Sequence, residues 1–281
     1  MVGPRFNWLP HVILAVGVAI FAFPIIFALL GSTWDAATIG RGEMPLTPGP
    51  YAVENYQQAW ETGEGVRVRA TPASIMMRNS LLMALVIAIG KIAISLLSAY
   101  AVAFFDFPGR MFFFWAIFIT LMLPVEVRII PSFKVVADLG MIDTFWGLTI
   151  PLIASATATL LLRQYFLTIP DELVDAAQID GATAMGFFWH VVVPLSRTNM
   201  AALFVILFIY GWNQYLWPLL ITTSRGMETI VIGIAKMIGT GDALTDWNLI
   251  MATAMLALLP PAVVVLLMQR SFVKGLTEPE K

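Results

Sequence analysis

The sequence predicts an all-α integral membrane protein, a six-transmembrane-helix bundle with a polar helix-turn-helix set between the fourth and fifth spans. Three observations lead there. The 281-residue chain is 59% hydrophobic and only 12% charged, about half the charged fraction of a soluble domain, and its mean hydropathy is +0.84. Six stretches are apolar enough to approach or exceed the roughly 20 residues that cross a hydrocarbon core. A long polar and acidic stretch, residues 164–197, interrupts them. No alternating strand pattern competes, and a backbone in lipid must satisfy its own hydrogen bonds.

In chain order the spans fall at residues 11–32, 75–105, 111–131, 145–162, 200–222 and 249–268. The first is read as a span and not as a signal peptide, because its apolar run exceeds a typical leader core and no small-x-small site ends it. The second is long enough to tilt or to project from the bilayer. The third is short over 111–123 and reaches residue 131 only by continuing across its prolines. Between the first two spans, residues 33–72 form a loop rich in Gly and Pro that carries Trp34, Tyr51, Tyr56 and Trp60. Residues 106–110 form a tight Pro-Gly turn.

Composition closes several classes. The chain has no cysteine, so disulfides and thiolate metal sites are excluded. A net charge of −2 argues against a nucleic-acid partner. His11 and His190 stand apart from any metal-like cluster and are read as structural. No G-x-x-x-x-G-K-[ST] loop is present, and Gly90-Lys91-Ile92 lacks both its upstream glycine and its following hydroxyl, so nothing here cradles nucleotide phosphates in the usual way. Six spans place both termini on one side with residues 106–110 and 164–197. Positive charge does not say which side. Arg5, Arg110, Arg163, Arg197, Arg270, Lys274 and Lys281 lie on it, against Arg41, Arg67, Arg69, Arg78, Arg128, Lys134, Arg225 and Lys236 opposite, so the positive-inside rule does not assign the orientation.

The polar segment reads PDELVDAAQIDGATAMGFFWHVVVPLS. Pro170 suits a first helical turn, and Asp171, Glu172 and Asp175 complement the helix dipole there. Leu173, Ala176 and Ala177 share a face, Gly181 is placed to end the helix in a left-handed cap, and Thr183 can cap a second helix. That helix carries Phe187, Phe188 and Val191 and is limited by Pro194. Ala176, Ala177 and Gly181 leave a low surface over which another protein can pack. The competing reading is an amphipathic loop at the membrane interface. The acids Asp171, Glu172, Asp175 and Asp180 weigh against that on an anionic lipid surface.

Asp175-Ala176-Ala177, three residues, Gly181, nine residues, then Val191-x-Val193-Pro194 resembles the EAA motif of bacterial ATP-binding-cassette importer permeases. Asp175 replaces Glu, Val191 replaces Ile and Val193 replaces Leu. NSLLMA at 79–84, FITLMLPVEVRIIP at 118–131, ASATATLLLRQYF at 154–166 and IYGWNQYLWPLLI at 209–221 are similar to the carbohydrate-type, maltose permease-like family, and within it to the sn-glycerol-3-phosphate branch. The resemblance covers nearly the whole chain. It implies a multi-pass bacterial inner-membrane transport subunit that is not an enzyme. It also implies a second permease subunit, two copies of a cytoplasmic ATPase that bind ATP and Mg, and a periplasmic solute-binding protein. Residues 166–197 become the cytoplasmic coupling loop, with Glu172, Asp175, Ala176, Ala177, Asp180, Gly181 and Pro194 as its contact residues. Both termini are then cytoplasmic and residues 33–72 periplasmic.

The candidates for the solute path are Lys91, Ser95, Arg128, Trp212, Asn213, Gln214 and Tyr215. Lys91 lies near the middle of the second span, where a cation costs about 3 kcal/mol on insertion scales. Ser95 and Ser98 continue a polar stripe on its helix. A cation facing the path can meet a phosphate; the alternative is a structural partner for a carboxylate or for helix-end carbonyls. For Arg128 a salt bridge to Glu126 is the favoured reading. Trp212-Asn213-Gln214-Tyr215 suits a polyol, or else an aromatic belt with amides joining helices. The expected function is import of sn-glycerol 3-phosphate, with glycerophosphodiesters as further substrates. The nearest alternative is a related sugar or oligosaccharide importer. An ion-driven transporter would favour broken helices and paired intramembrane acids, and the spans hold almost no carboxylates. A membrane enzyme would need a nucleophile or metal set, and the spans show none.

Overall fold

The computed structural model describes residues 8–66, 68–123, 125–238 and 245–277. Among them the regular structure is helical apart from one isolated bridge between Glu64 and Arg69. The helices are α1 (Leu9–Gly31), α2 (Ala36–Gly40), α3 (Ala52–Glu61), α4 (Ala73–Phe104), α5 (Arg110–Met122), α6 (Val125–Asp138), α7 (Phe145–Thr149), α8 (Ala156–Phe166), α9 (Asp171–Ile179), α10 (Ala184–Phe187), α11 (Val193–Leu195), α12 (Arg197–Trp212), α13 (Leu216–Ile221), α14 (Ile230–Ile238) and α15 (Trp247–Thr277).

Among the described residues three helices are long and apolar enough to cross a bilayer: Leu9–Gly31, Ala73–Phe104 and Trp247–Gln269. The number rises to five when two bent pairs each count as one span. Several apolar stretches are broken into shorter helices for local reasons. Leu123 ends α5 in an extended conformation, as a residue before proline does. In the fourth span Pro151 sits in the 3-10 turn Ile150–Leu152 after α7. Helix restarts at α8 under a cap from the Ser155 hydroxyl, and the two halves bend by 44°. In the fifth, α12 stops at Trp212 and α13 starts at Leu216. Had the helix run on, the ring of Pro218 would strike the Gln214 carbonyl. By contrast α4 runs 32 residues unbroken, roughly 48 Å at 1.5 Å per residue.

The chain divides into two compact units. The first comprises Met1–Met77 and Ile232–Leu259. Its α1 is apolar all round, and Gly31 is its only buried residue; Phe21 is 81% exposed. Such a helix has no stable place in water and faces lipid or other helices. The stretch 33–72, rich in Gly and Pro, carries α2 and α3 and is organised around Asn55. The Asn55 amide donates to the carbonyls of Ser32 and Trp34, each at 2.8 Å, and its oxygen accepts from Asn248 at 2.9 Å. Asp246 accepts the Val68 N–H at 2.9 Å. Ala59, Val68, Met237, Leu249, Ile250 and Ala252 form the core. Asn55 is buried, so Asn55→Ala leaves carbonyls and an amide dry and unpaired, at roughly 1–3 kcal/mol for a stranded group. The expected outcome is a lowered midpoint of thermal unfolding in detergent, with no such change for the exposed Val53→Ala.

The second unit comprises Arg78–Val231 and Pro260–Lys281. Met83, Ile87, Val136, Leu148, Trp217 and Ile221 form a core. The Trp217 indole donates to the Gly147 carbonyl at 3.1 Å, tying α13 to α7. Asp143 accepts the N–H groups of Thr223 and Ser224 at 3.1 and 3.0 Å. The backbone bond to Ser224, foremost among these, holds the Asp143 carboxyl below its ordinary value. Asn79 donates to the carbonyls of Gly226 and Glu228 at 2.8 and 3.0 Å, and Ser80 accepts the Ile230 N–H at 2.8 Å. On α12, Gly211 meets the backbone of Ala84 on α4; a Cβ there would stand 2.9 Å from the Ala84 Cα.

Candidate functional site

Two features of the second unit bear on function: the polar segment and a cavity lined by cations. In the polar segment Pro170 is extended and caps α9 from outside, one residue before the first helical position expected for it. Asp171 and Glu172 occupy the first turn, where they complement the helix dipole. At the other end Gly181 has φ +73°. Its N–H donates to the Gln178 carbonyl at 3.0 Å, and the Ala182 N–H to the Ala177 carbonyl at 2.9 Å. These are the paired bonds of a Schellman cap, and glycine takes the left-handed position at least cost. No residue of α9 is buried. Glu172, Asp175, Ala176, Asp180 and Gly181 are exposed, and Ala177 and Pro194 are half-buried. Ile179, at 85% exposure, is an apolar tip that this chain leaves uncovered.

Beyond α9 the chain is anchored. Thr183 caps α10 by accepting the Gly186 N–H at 3.1 Å. Phe187 and Phe188 are buried, with ring centroids 6.5 and 4.9 Å from Tyr100 near the end of α4. The Tyr100 hydroxyl donates to the Ala184 carbonyl at 2.6 Å, and the Tyr165 hydroxyl to the Leu195 carbonyl at 2.8 Å. A π-helical turn, Phe188–Val192, precedes Pro194, and its wider winding relieves the clash a proline makes in an α-helix. The chain then bends by 71° into α12. At the bend the buried Ser196 hydroxyl donates to the Val192 carbonyl at 2.6 Å. His190 stays exposed, its Nδ1 2.9 Å from the Gly186 carbonyl. An exposed acidic helix is thus joined to two spans through a stiff elbow.

The cavity has a volume of about 360 Å³, and Lys91, Arg128, Ser132, Tyr210, Gln214 and Tyr215 line it together with apolar residues. Lys91 is 6% exposed. Its ammonium lies over the Tyr210 ring, 3.7 Å from the centroid, an interaction of about 2 kcal/mol when desolvated that offsets part of the cost of a cation at this depth. Irregular backbone is tolerated within a membrane where it lines a cavity. Here the break before α8 supplies Ala154 and the break before α13 supplies Gln214 and Tyr215. The Gln214 amide donates to the Tyr210 carbonyl at 3.1 Å.

The structure gathers four of the sequence-derived path candidates, Lys91, Arg128, Gln214 and Tyr215, around one space. Three lie elsewhere. Ser95 is fully buried and donates to the Ser155 carbonyl at 3.2 Å. Trp212 is buried and stacks on Phe208 at 6.0 Å. Asn213 is exposed at the end of α12. The Glu126 side chain, expected to pair with Arg128, lies outside the described residues. Sequence reasoning missed Tyr210, Ser132 and Tyr100. Tyr210 stands four residues before Gln214, a helical-face pairing that could have signalled it. Tyr100 is a polar tip in an apolar run, which becomes informative only once Ala184 is known to lie beside it.

Comparison with known proteins gives these features a setting. Residues 91–278 match the family model described as binding-protein-dependent transport system inner membrane component. The chain is 54% identical over 271 residues to the sn-glycerol-3-phosphate transport system permease protein UgpE of Yersinia pestis bv. Antiqua, covering 96% of each chain. It is 56% identical over 278 residues to the protein of that name in Brucella melitensis biotype 1, covering 99% of this chain and 98% of the other. Among solved structures it is similar to one titled a bacterial ABC transporter involved in the import of the acidic polysaccharide alginate. There the TM-score is 0.82 at 20% identity, covering 96% of this chain and 100% of that one, a likeness of fold. With two thirds of its length matched by that model and close relatives across nearly all of it, the chain belongs to the family of inner-membrane components of binding-protein-dependent transport systems.

Proposed function

We propose that this chain is one of two transmembrane permease subunits of an ATP-binding-cassette importer for sn-glycerol 3-phosphate, with glycerophosphodiesters as further substrates. The other permease completes the path. Two copies of a cytoplasmic ATPase bind ATP and Mg, and an extracytoplasmic binding protein delivers solute. The chain itself transports and does not hydrolyse ATP. The observation that carries this reading is α9, an acidic helix with no buried residue, a glycine cap and an uncovered apolar tip, on an elbow that leads into α8 and α12. The names of the relatives support the substrate.

In this reading α9 and both termini face the cytoplasm and residues 33–72 face outward. Closure of the ATPase pair on ATP pulls each coupling helix inward, and the elbow passes that displacement to the spans. Coupling requires that α9 make different contact free energies with the two ATPase states. Broken helices alone would also suit an ion-driven carrier, but that class leaves α9 without a role.

The test is purification of the tagged chain from its native membrane in mild detergent, followed by reconstitution of whatever accompanies it. The expected result is an ATPase, a second permease, and ATP-dependent uptake of labelled sn-glycerol 3-phosphate once the binding protein is added. Purification without an ATPase would remove the importer reading. Preferential uptake of a neutral oligosaccharide would remove only the substrate.

A further inference from the structure

We infer that the cavity between Lys91 and Arg128 is an anion seat that holds the phosphate end of the solute during passage, and that this subunit therefore selects phosphorylated solutes by direct contact. The inference rests on the substrate proposed above and adds a location and a chemistry to it.

Three observations carry it. The first is charge. Two cations line one cavity, and none of the described residues lining it is acidic. Like charges lining one cavity repel, and an anion relieves them both. The second is the burial of Lys91. Its ammonium is held on the Tyr210 ring, and a ring face takes up no proton and carries no full negative charge to neutralise it. Among the described residues lining the cavity there is no carboxylate, and the ring is a support that fixes the position of the ammonium. The third is the surrounding wall. Ala154 precedes Ser155, the cap of the eleven-residue α8, so the positive end of that helix dipole lies at the same cavity. Ser132, Gln214 and Tyr215 add polar groups that can meet the remaining oxygens of a phosphate or the hydroxyls of a glyceryl group.

The two cations differ in setting. Lys91 is buried and Arg128 is exposed. Arg128 can meet an arriving phosphate bidentately at the rim, and Lys91 receives it within. The volume of about 360 Å³ suits a small solute.

The test uses the assembled transporter without its binding protein, so that any solute effect arises in the permease pair. Thermal unfolding is followed in nanodiscs with sn-glycerol 3-phosphate, with inorganic phosphate, and with glycerol. The expected result is a rise in midpoint with the first two and none with glycerol. Lys91→Gln should abolish the rise and Lys91→Arg restore most of it. Arg128→Gln should raise the concentration needed at least several-fold; as an exposed position it carries the test if Lys91→Gln does not assemble. In proteoliposomes supplied with the binding protein the same variants should lose uptake in the same order, by tenfold or more for Lys91→Gln. A phospholipid headgroup offers the same phosphate chemistry, so nanodiscs of phosphatidylglycerol are compared with nanodiscs of phosphatidylcholine. A solute response equal in both supports the solute as occupant, whereas a response abolished by phosphatidylglycerol assigns the seat to lipid and overturns the inference. An equal rise with glycerol, or an undiminished response in both Gln variants, also overturns it. If the wild-type complex imports the phosphorylated solute while the Gln variants behave like it, the seat fails and the function stands; if the wild type imports none, both fail.

Discussion

Gly181→Val is expected to leave the chain in the membrane at normal abundance and to cut ATP-driven uptake about tenfold. Gly181 sits at φ +73°, where an L-residue costs about 1–2 kcal/mol and a β-branched one is a poor fit. A cost of that size lowers the population of the correctly ended helix roughly tenfold. In this chain a Cβ at Gly181 meets nothing within 4 Å, so the substitution strains the cap without striking a neighbour, and insertion and abundance should hold. Gly181→Asn separates two causes, since asparagine tolerates the left-handed region. Uptake kept with asparagine and lost with valine identifies backbone strain. Loss with both identifies a surface that the partner needs bare.

Gly211→Leu is expected to prevent the second unit from packing. The obstacle is backbone, the Ala84 Cα at 2.9 Å from the added Cβ, and backbone within two packed helices cannot swing aside as a flexible side chain does. Overpacking costs about 1–3 kcal/mol when side chains can yield, and here the upper end is expected. Small residues at helix crossings are how membrane helices approach closely. The measurement is the fraction of monodisperse protein recovered from detergent and its unfolding midpoint. Gly211→Ala should fall between wild type and leucine.

Much of the coupling segment was legible because capping chemistry is local. Pro170, Thr183 and Gly181 announce helix ends to their near neighbours, and the structure puts those ends within a residue of the expected places. The apolar runs were legible for the same reason. Their interruptions were less so. Pro218 was visible, but only its i−4 relation to Gln214 explains why α12 and α13 are separate helices. The path candidates divided by reach. Lys91 and Gln214 declare themselves by polarity. Ser95 looked like the continuation of the Lys91 stripe until its partner, the Ser155 carbonyl sixty positions away, came into view. Trp212 reads as an interfacial or ligand-facing ring, yet it stacks within a Phe204–Phe208–Trp212 ladder on its own helix. In residues 33–72 the sequence shows Gly and Pro, and the organising bonds of Asn55 run to Asn248, 193 positions on. No local pattern carries contacts of that span.

The most direct test of the lever exploits the absence of cysteine. A single Ile179→Cys places one thiol at the exposed tip of α9, and a membrane-impermeant maleimide then reports its side and its cover. In inside-out vesicles stripped of peripheral proteins the thiol should label fully. In right-side-out vesicles it should not label, and return of the ATPase should protect it to different degrees with and without ATP. Labelling from the outer face, or labelling indifferent to the ATPase, would contradict the account.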